Sequence, residues 1–313
     1  MDTKQSKRAL PAGTRLEQYS VVRSLSSGGF SEVYLALDQH DRKYAIKEYL
    51  PLAMTGRRDS GDVTVLNELD RDAFKLGLKC FFEEARILAG IQHPNIVRVD
   101  NFFRANQTVY MVMDYTEGRP LAKEVELTPD GIAERRLRRL FAELIGGLRE
   151  VHLQHLLHLD IKPANIYLRR NGTPVLLDFG AARQTLGRAQ HLGSMFTPGY
   201  AAPEQYDAQG KLGPWTDIYG LGACLYVAMG GDKLQSADQR LKQDKVVPAS
   251  KAFARYYSPE LLALVDDCLC LDPLTRLASL SEMQKRLRDK QYVTPEPPKG
   301  VSAWLRRLMG KRA

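Results

Sequence analysis

The chain has 313 residues, 44% hydrophobic and 26% charged, with four cysteines and a formal net charge of +8. That apolar mass is enough for a sizeable buried core, so the fold needs no disulfide staples. Cys80, Cys224, Cys268 and Cys270 show no zinc-ligand spacing, which fits a reducing, cytoplasmic setting. The positive balance favours anionic partners such as nucleotide phosphates, nucleic acid or a membrane surface. Part of it sits at the end of the chain, in Lys299, Arg306, Arg307, Lys311 and Arg312, and no basic stripe interleaved with aromatics points to nucleic acid.

In chain order, residues 1–18 read as a polar lead-in, without the apolar segment of a signal peptide. From Tyr19, "YSVVRSL", "EVYLALD" and "KYAIKEY" are β-branched and aromatic runs broken by "SSGG" and "QHDR", which predicts an antiparallel meander. Residues 51–72, beginning "PLAMTGRRDSGD", read as a polar loop insertion. Phe74, Leu78, Phe81, Phe82, Ala85 and Leu88 then recur at helical spacing, and strands are expected near 97–104 and 109–114.

After a connector at 115–120 the pattern becomes mainly helical. Thr128 reads as an N-cap with Pro129 as the first helical residue. "IYL" (166–168) and "PVLLD" (174–178) predict a hairpin around "RRNGT". "IYGLGACLYVAMGG" (218–231) is too short to span a bilayer and is expected as a buried helix. Helices continue to about residue 290. "TPEPPKG" (294–300) is a linker, and "VSAWLRRLMGKRA" is a basic amphipathic end. A strand-rich part with one helix thus precedes a helix-rich part, a seam where ligand clefts are common.

"LSSGGFS" (Leu25, Ser26, Ser27, Gly28, Gly29, Phe30, Ser31) links two strands through small residues, whose backbone N–H groups suit phosphates but equally suit an ordinary turn. In "YAIK", Ala45 and Lys47 share a face by the period of two. With Val33, Ala45 would roof an apolar pocket beside which Lys47 reaches phosphates; the bland alternative is a solvated edge lysine. Glu84, between Phe81 and Leu88 on one helix face, is its candidate partner, with Glu83 adjacent. "HLDIKPAN" places Asp160, Lys162 and Asn165 together, and "LLDFG" follows with Asp178. Asn165 and Asp178, at the two ends of the hairpin, suit a hard cation such as magnesium. Asp160 suits a hydroxyl proton, and Lys162 a transferring phosphoryl group.

Taken together the sequence resembles the eukaryotic-type Ser/Thr protein kinase family, in its bacterial style, over about residues 19–290. The ordered motifs are the small-residue loop, "YAIK", the Glu84 helix, "HPNIV" (93–97), "HLDIKPAN", "DFG", "TPGYAAPEQY" (197–206), "WTDIYGLG" (215–222) and "LDPLTR" with Asp272 and Arg276. The resemblance implies an α+β, two-lobed fold: an N-lobe (19–114) of five antiparallel strands plus one helix, a mainly helical C-lobe (115–290), and a tail (291–313). It implies ATP with Mg2+, or Mn2+ as a substitute, and protein substrates with Ser or Thr acceptors. By position it makes Lys47 the α/β-phosphate ligand paired with Glu84, Asp160 the base, Lys162 the phosphoryl contact, and Asn165 and Asp178 the metal ligands. Met113 would guard the back of the adenine pocket, and Asp114 and Tyr115 would present backbone to the base. Glu204 would pair with Arg276, and Asp217 would brace the catalytic loop.

Three departures matter. Ser26 and Ser31 replace two family glycines, predicting a less permissive loop. Tyr167 stands where leucine commonly lies under the adenine. Leu159 replaces an arginine that pairs with activation-loop phosphate, so phosphorylation at Thr185 or Ser194 should not be required. A nucleotide-binding pseudokinase scaffold is the alternative. In the tail, Trp304, Leu305, Leu308 and Met309 form an apolar face that suits an anionic membrane surface or a partner, against a solvated helical end.

Overall fold

The computed structural model describes residues 8–179 and 196–288. Gly180, Thr185, Ser194, the 294–300 linker and the 301–313 tail lie outside the described residues. The described chain divides into two compact units, 8–93 with 97–116, and 94–96 with 117–179 and 196–288.

The first unit is built on an antiparallel sheet of order β1-β2-β3-β4-β8-β7. Its strands are β1 (Arg15–Leu16), β2 (Tyr19–Ser27), β3 (Ser31–Leu37), β4 (Lys43–Tyr49), β7 (Val99–Ala105) and β8 (Thr108–Asp114). The five expected strands are present, and β1 adds two residues at the edge. On β3, Tyr34 and Ala36 are fully buried while Val33 and Leu35 on the other face are half-buried, as strand alternation requires. Tyr34, Ala36, Tyr44, Ile46, Tyr110 and Val112 form one core with Leu10 and Leu16. The lead-in is therefore more than a polar approach. Its two leucines are each 1% exposed and cover a sheet face, each worth about 1.5–3 kcal/mol of apolar burial.

The insertion is also not the loop its composition suggests. Strands β5 (Thr55–Arg57) and β6 (Val63–Val65) form an antiparallel hairpin. Thr55 and Val63 are buried, and Arg57 is held by a buried carboxylate, so polar composition concealed an ordered element. A 3-10 turn, Glu68–Asp70, capped by the Asn67 side chain, leads straight into α1 (Arg71–Ala89). That helix buries Phe74, Phe81, Ala85 and Leu88 as expected, with Leu78 and Phe82 only half-buried. Tyr49 of β4 packs against Phe74 and Phe81, with ring centroids 5.5 and 5.8 Å away.

The second unit holds a small sheet of order β11-β10-β9, from β9 (Gly118–Pro120), β10 (Ile166–Arg169) and β11 (Pro174–Leu176). Part of the expected connector is thus a strand. Its helices are α2 (Leu121–Leu127), α3 (Glu134–Leu153), α4 (Pro214–Ala228), α5 (Ala237–Lys242), α6 (Ala249–Ala252), α7 (Pro259–Cys268) and α8 (Leu280–Arg288). Thr128 does not start a helix. Its N–H and hydroxyl close the end of α2 on the Glu124 carbonyl, Pro129 to Gly131 make a turn, and α3 begins at Glu134. The Glu134 carboxylate accepts the Ser258 N–H (2.8 Å), the Ser258 hydroxyl (2.6 Å) and Arg138 Nε (2.6 Å), tying α3 to the start of α7. Residues 216–228 of α4 are buried throughout. No described helix is long and apolar enough to cross a membrane.

Candidate active site

In the first unit, β2 and β3 pair as far as Ser27 with Glu32, and the Gly28 N–H donates to the Ser31 carbonyl (2.9 Å). Gly28, Gly29 and Phe30 form the tip. The carbonyls of Gly29 and Phe30 accept the N–H groups of Leu52 and Leu50, each at 2.9 Å. Neither glycine has a positive φ, and a Cβ added to Gly29 would meet nothing within 4 Å. The fold itself therefore does not demand glycine here, and the bare backbone suits a ligand that approaches closely. Leu25 is half-buried, and Ser26 and Ser31 lie within the strands without positive φ, so serine carries no strain at either position.

Val33, Lys47 and Met111 form one cross-strand row, and Leu35, Ala45 and Met113 the next, all on the sheet face opposite the Tyr34 core. Val33 and Ala45 are half-buried beside Met113, as an apolar roof requires. Lys47 Nζ lies 3.9 Å from Glu84 Oε1, with both side chains almost fully buried, and 5.6 Å from the centre of the Phe81 ring. Glu83 instead pairs with Arg86 at 2.9 Å on the exposed side of the helix. The Asp114 N–H donates to the Arg98 carbonyl (3.0 Å) and its carboxylate pairs with Arg42 (2.9 Å), so that N–H is not offered to a base. Lys43 Nζ lies 6.0 Å from the ring centre of Tyr115.

In the second unit, the loop between α3 and β10 brings the polar residues together. Asp160 Oδ2 accepts Lys162 Nζ at 2.6 Å, and Oδ1 accepts the Thr197 hydroxyl at 2.7 Å. Lys162 Nζ also donates to Thr197 Oγ1 (2.8 Å), closing a three-membered ring of contacts. Asn165 Nδ2 donates to the Asp160 carbonyl (2.9 Å) and to Oδ2 (3.2 Å). The Leu177 N–H donates to the Asn165 carbonyl (2.8 Å), which sets Asp178 beside Asn165. Asp178 has a φ of +58° and is exposed. Tyr167, half-buried on β10, pairs with Pro120 and Val175.

The loop is braced from beneath. Asp217 is 1% exposed, and it accepts the N–H groups of His158 (2.9 Å) and Leu159 (2.8 Å) and makes a 2.8 Å contact with His152 Nε2. Burial acts to raise the Asp217 carboxyl, but the His152 hydrogen bond and the neighbouring histidines outweigh it, holding it below its ordinary value. Gln205 Nε2 donates to the Leu159 carbonyl at 2.8 Å. Arg276 makes two bonds to the buried Glu204 carboxylate, at 2.7 and 3.0 Å, which also accepts the Thr216 hydroxyl. Thr197 and Gln205 were legible only as members of "TPGYAAPEQY"; nothing in their spacing announced contact with Asp160 and Leu159. Leu159, with a φ of +64°, is buried against Leu157 and Leu212.

The donor set fits a hard divalent cation. Asn165 spends its amide nitrogen on Asp160, so it is its oxygen that it can offer beside the Asp178 carboxylate. Two protein oxygens, completed by phosphate and water, are what magnesium takes.

The protein kinase domain family profile matches residues 19–287. The chain is 29% identical over 285 residues to the serine/threonine-protein kinase PknA of Nostoc, covering 87% of this chain and 47% of that protein. It is 29% identical over 333 residues to PknD of Chlamydia pneumoniae, covering 92% of this chain and 33% of that one. The chain thus spans about a third to a half of these curated relatives. Among solved structures, "PpkA-294 apo form" superposes with a TM-score of 0.78 at 35% identity, covering 90% of this chain and 100% of that one. The Mycobacterium tuberculosis PknI kinase domain gives 0.61 at 22% identity over 89% and 98% of the two chains, a likeness of fold. The chain belongs to the protein kinase domain family.

Proposed function

We propose that this chain transfers the γ-phosphoryl group of ATP to serine or threonine hydroxyls of proteins. The observation that carries this reading is the Asp160 carboxylate, held by Lys162, Thr197 and Asn165 in the second unit. An acceptor hydroxyl hydrogen-bonds to Asp160 and releases its proton to that carboxylate as the oxygen attacks. Lys162 places a cation beside Asp160, where negative charge gathers on the phosphoryl oxygens. Thr197 keeps the carboxylate oriented by donating to Oδ1. In the first unit, Lys47, oriented by Glu84, is placed for the α- and β-phosphates, while Val33, Ala45 and Met113 offer apolar surface to a base. Asn165 and Asp178 would hold magnesium, or manganese in its place, and the metal would offset phosphate charge.

Leu159 supports a finer reading, in which activation-loop phosphate is dispensable. A leucine packed on Leu157 and Leu212 offers no cation to a phosphate. The test of the main reading is incubation with labelled ATP and magnesium. The wild-type chain should label itself or an acceptor protein, and Asp160→Asn should lower the rate by about 100-fold or more. A wild-type chain that binds ATP but transfers nothing would instead be a nucleotide-binding scaffold.

A further inference from the structure

Strand β4 presents Lys47 on one face and Glu48 on the other, and the reading above uses only the first. Glu48 is fully buried, a costly place for a carboxylate unless it is paired and hydrogen-bonded. Three groups answer it. The Tyr34 and Tyr110 hydroxyls each donate at 2.7 Å, to Oε2 and Oε1, and Arg57 Nη2 donates to Oε2 at 2.5 Å. Burial and the Glu48 charge push both tyrosine hydroxyls up, so they remain donors.

Arg57 comes from the β5–β6 hairpin of the insertion, and each of its three guanidinium nitrogens donates a hydrogen bond. Nη1 donates to the Gly61 carbonyl (2.8 Å) at the hairpin turn, and Nε to the Arg8 carbonyl (2.5 Å) in the lead-in. The hairpin is fastened elsewhere too. The Val63 N–H donates to the Asn106 carbonyl (2.8 Å) at the β7–β8 turn. At its near end, Leu50 and Leu52 hold the two tip carbonyls of the small-residue loop. At its far end the chain passes through the capped 3-10 turn into α1, which carries Glu84.

We propose that Arg57 is a positioning residue: through Glu48 it fixes the insertion as a strap that holds Lys47, the phosphate loop and the Glu84 helix in one arrangement. This rests on the kinase reading of Lys47 and Glu84. It also supplies what Leu159 leaves missing. With no cation before Asp160 to couple loop phosphate to order, α1 is held from within its own unit by a permanent buried ion pair.

The test compares Arg57→Met with the double variant Glu48→Gln, Arg57→Met. The single variant strands a buried carboxylate and loses stability. The double variant removes both charges but keeps an amide for Tyr34 and Tyr110, so its melting temperature should return close to wild type. Two readouts follow on the double variant. Amide exchange across residues 72–89 should quicken by about tenfold relative to β3 and β8, and kcat should fall by about tenfold with the KM for ATP raised. Arg57→Lys, which keeps the charge, should recover part of both. A double variant that melts like wild type and keeps wild-type exchange in α1 and wild-type kcat would overturn the proposal, leaving Arg57 with a purely structural role. If the wild-type chain itself transfers no phosphate, the kinase reading fails, and exchange in α1 alone decides the strap.

Discussion

Leu159 sits beside Asp160 with an apolar side chain buried against Leu157 and Leu212. Its backbone takes a φ of +64°, which costs a β-carbon-bearing residue about 1–2 kcal/mol. The cost is offset because its N–H and carbonyl are both claimed, by Asp217 and Gln205. The loop geometry is thus dictated by partners on α4 and in the 203–205 turn, and the side chain at 159 is free to be apolar. Because no guanidinium stands there, loop phosphate has no receptor at this position. The double variant Thr185→Ala, Ser194→Ala should accordingly keep its rate within about tenfold of wild type in a labelled-ATP assay. A larger loss with an unchanged melting curve would show that a phosphate receptor exists elsewhere.

Helix α1 illustrates the next scale. Gly77 lies on its sheet-facing side, and a Cβ there would fall 1.9 Å from the Tyr49 hydroxyl and 2.6 Å from Cζ. Tyr49 cannot swing away, because it is fully buried and packed against the rings of Phe74 and Phe81. Gly77→Ala should therefore shift the helix, lowering stability by about 1–3 kcal/mol in a urea titration and raising the KM for ATP as Glu84 moves relative to Lys47. An unchanged KM alongside reduced stability would mean that the helix absorbs the clash without moving Glu84. The apolar period made this helix legible, because Phe74, Phe81, Ala85 and Leu88 repeat at 3.6. β-Branched and aromatic runs likewise marked the "YAIK" strand, and the Asn-Gly turn signal marked the hairpin of 166–168 with 174–178. Local pattern failed where order comes from polar contacts far apart in sequence. Arg57 looks like one more charge in "TGRRDSGD", and only folding shows its partner at Glu48. The Thr128–Pro129 pair carries a helix-start signal, yet the Glu124 carbonyl claims Thr128 first. Leu10 and Leu16 are too few to show a period, so their burial was not visible. Of the candidate site, the residues carrying charge were legible because phosphoryl transfer constrains their types; Thr197 was legible only through its motif, and its hydrogen bond to Asp160 was not.

For the molecule as a whole, acid stability follows from carboxylates that the second unit buries charged. Asp217 and Glu134 are both held below their ordinary values. Burial opposes this in each case, and it is outweighed at Asp217 by His152 and His158 and at Glu134 by Ser258 and Arg138. A carboxyl whose value is lower folded than unfolded binds its proton more readily in the unfolded chain. Its contribution is therefore fully present above the unfolded value, about pH 4, and is lost as pH falls through the folded value. The urea midpoint should change little on account of these groups between about pH 7 and 5, then drop steeply below about pH 4. Asp217→Asn leaves two backbone N–H groups and His152 facing an amide in place of a carboxylate. It should lose about 2–3 kcal/mol at neutral pH, and the difference from wild type should shrink as the medium is acidified. A constant difference from pH 7 to 3 would mean that Asp217 acts through packing alone. Because the bonds at stake also hold the His158 and Leu159 backbone, the acid limb of activity should follow the Asp217 brace. Comparing stability and rate in Asp217→Asn tests this: a shared shift assigns the limb to the brace, whereas an unmoved rate limb would show that the brace does not set it.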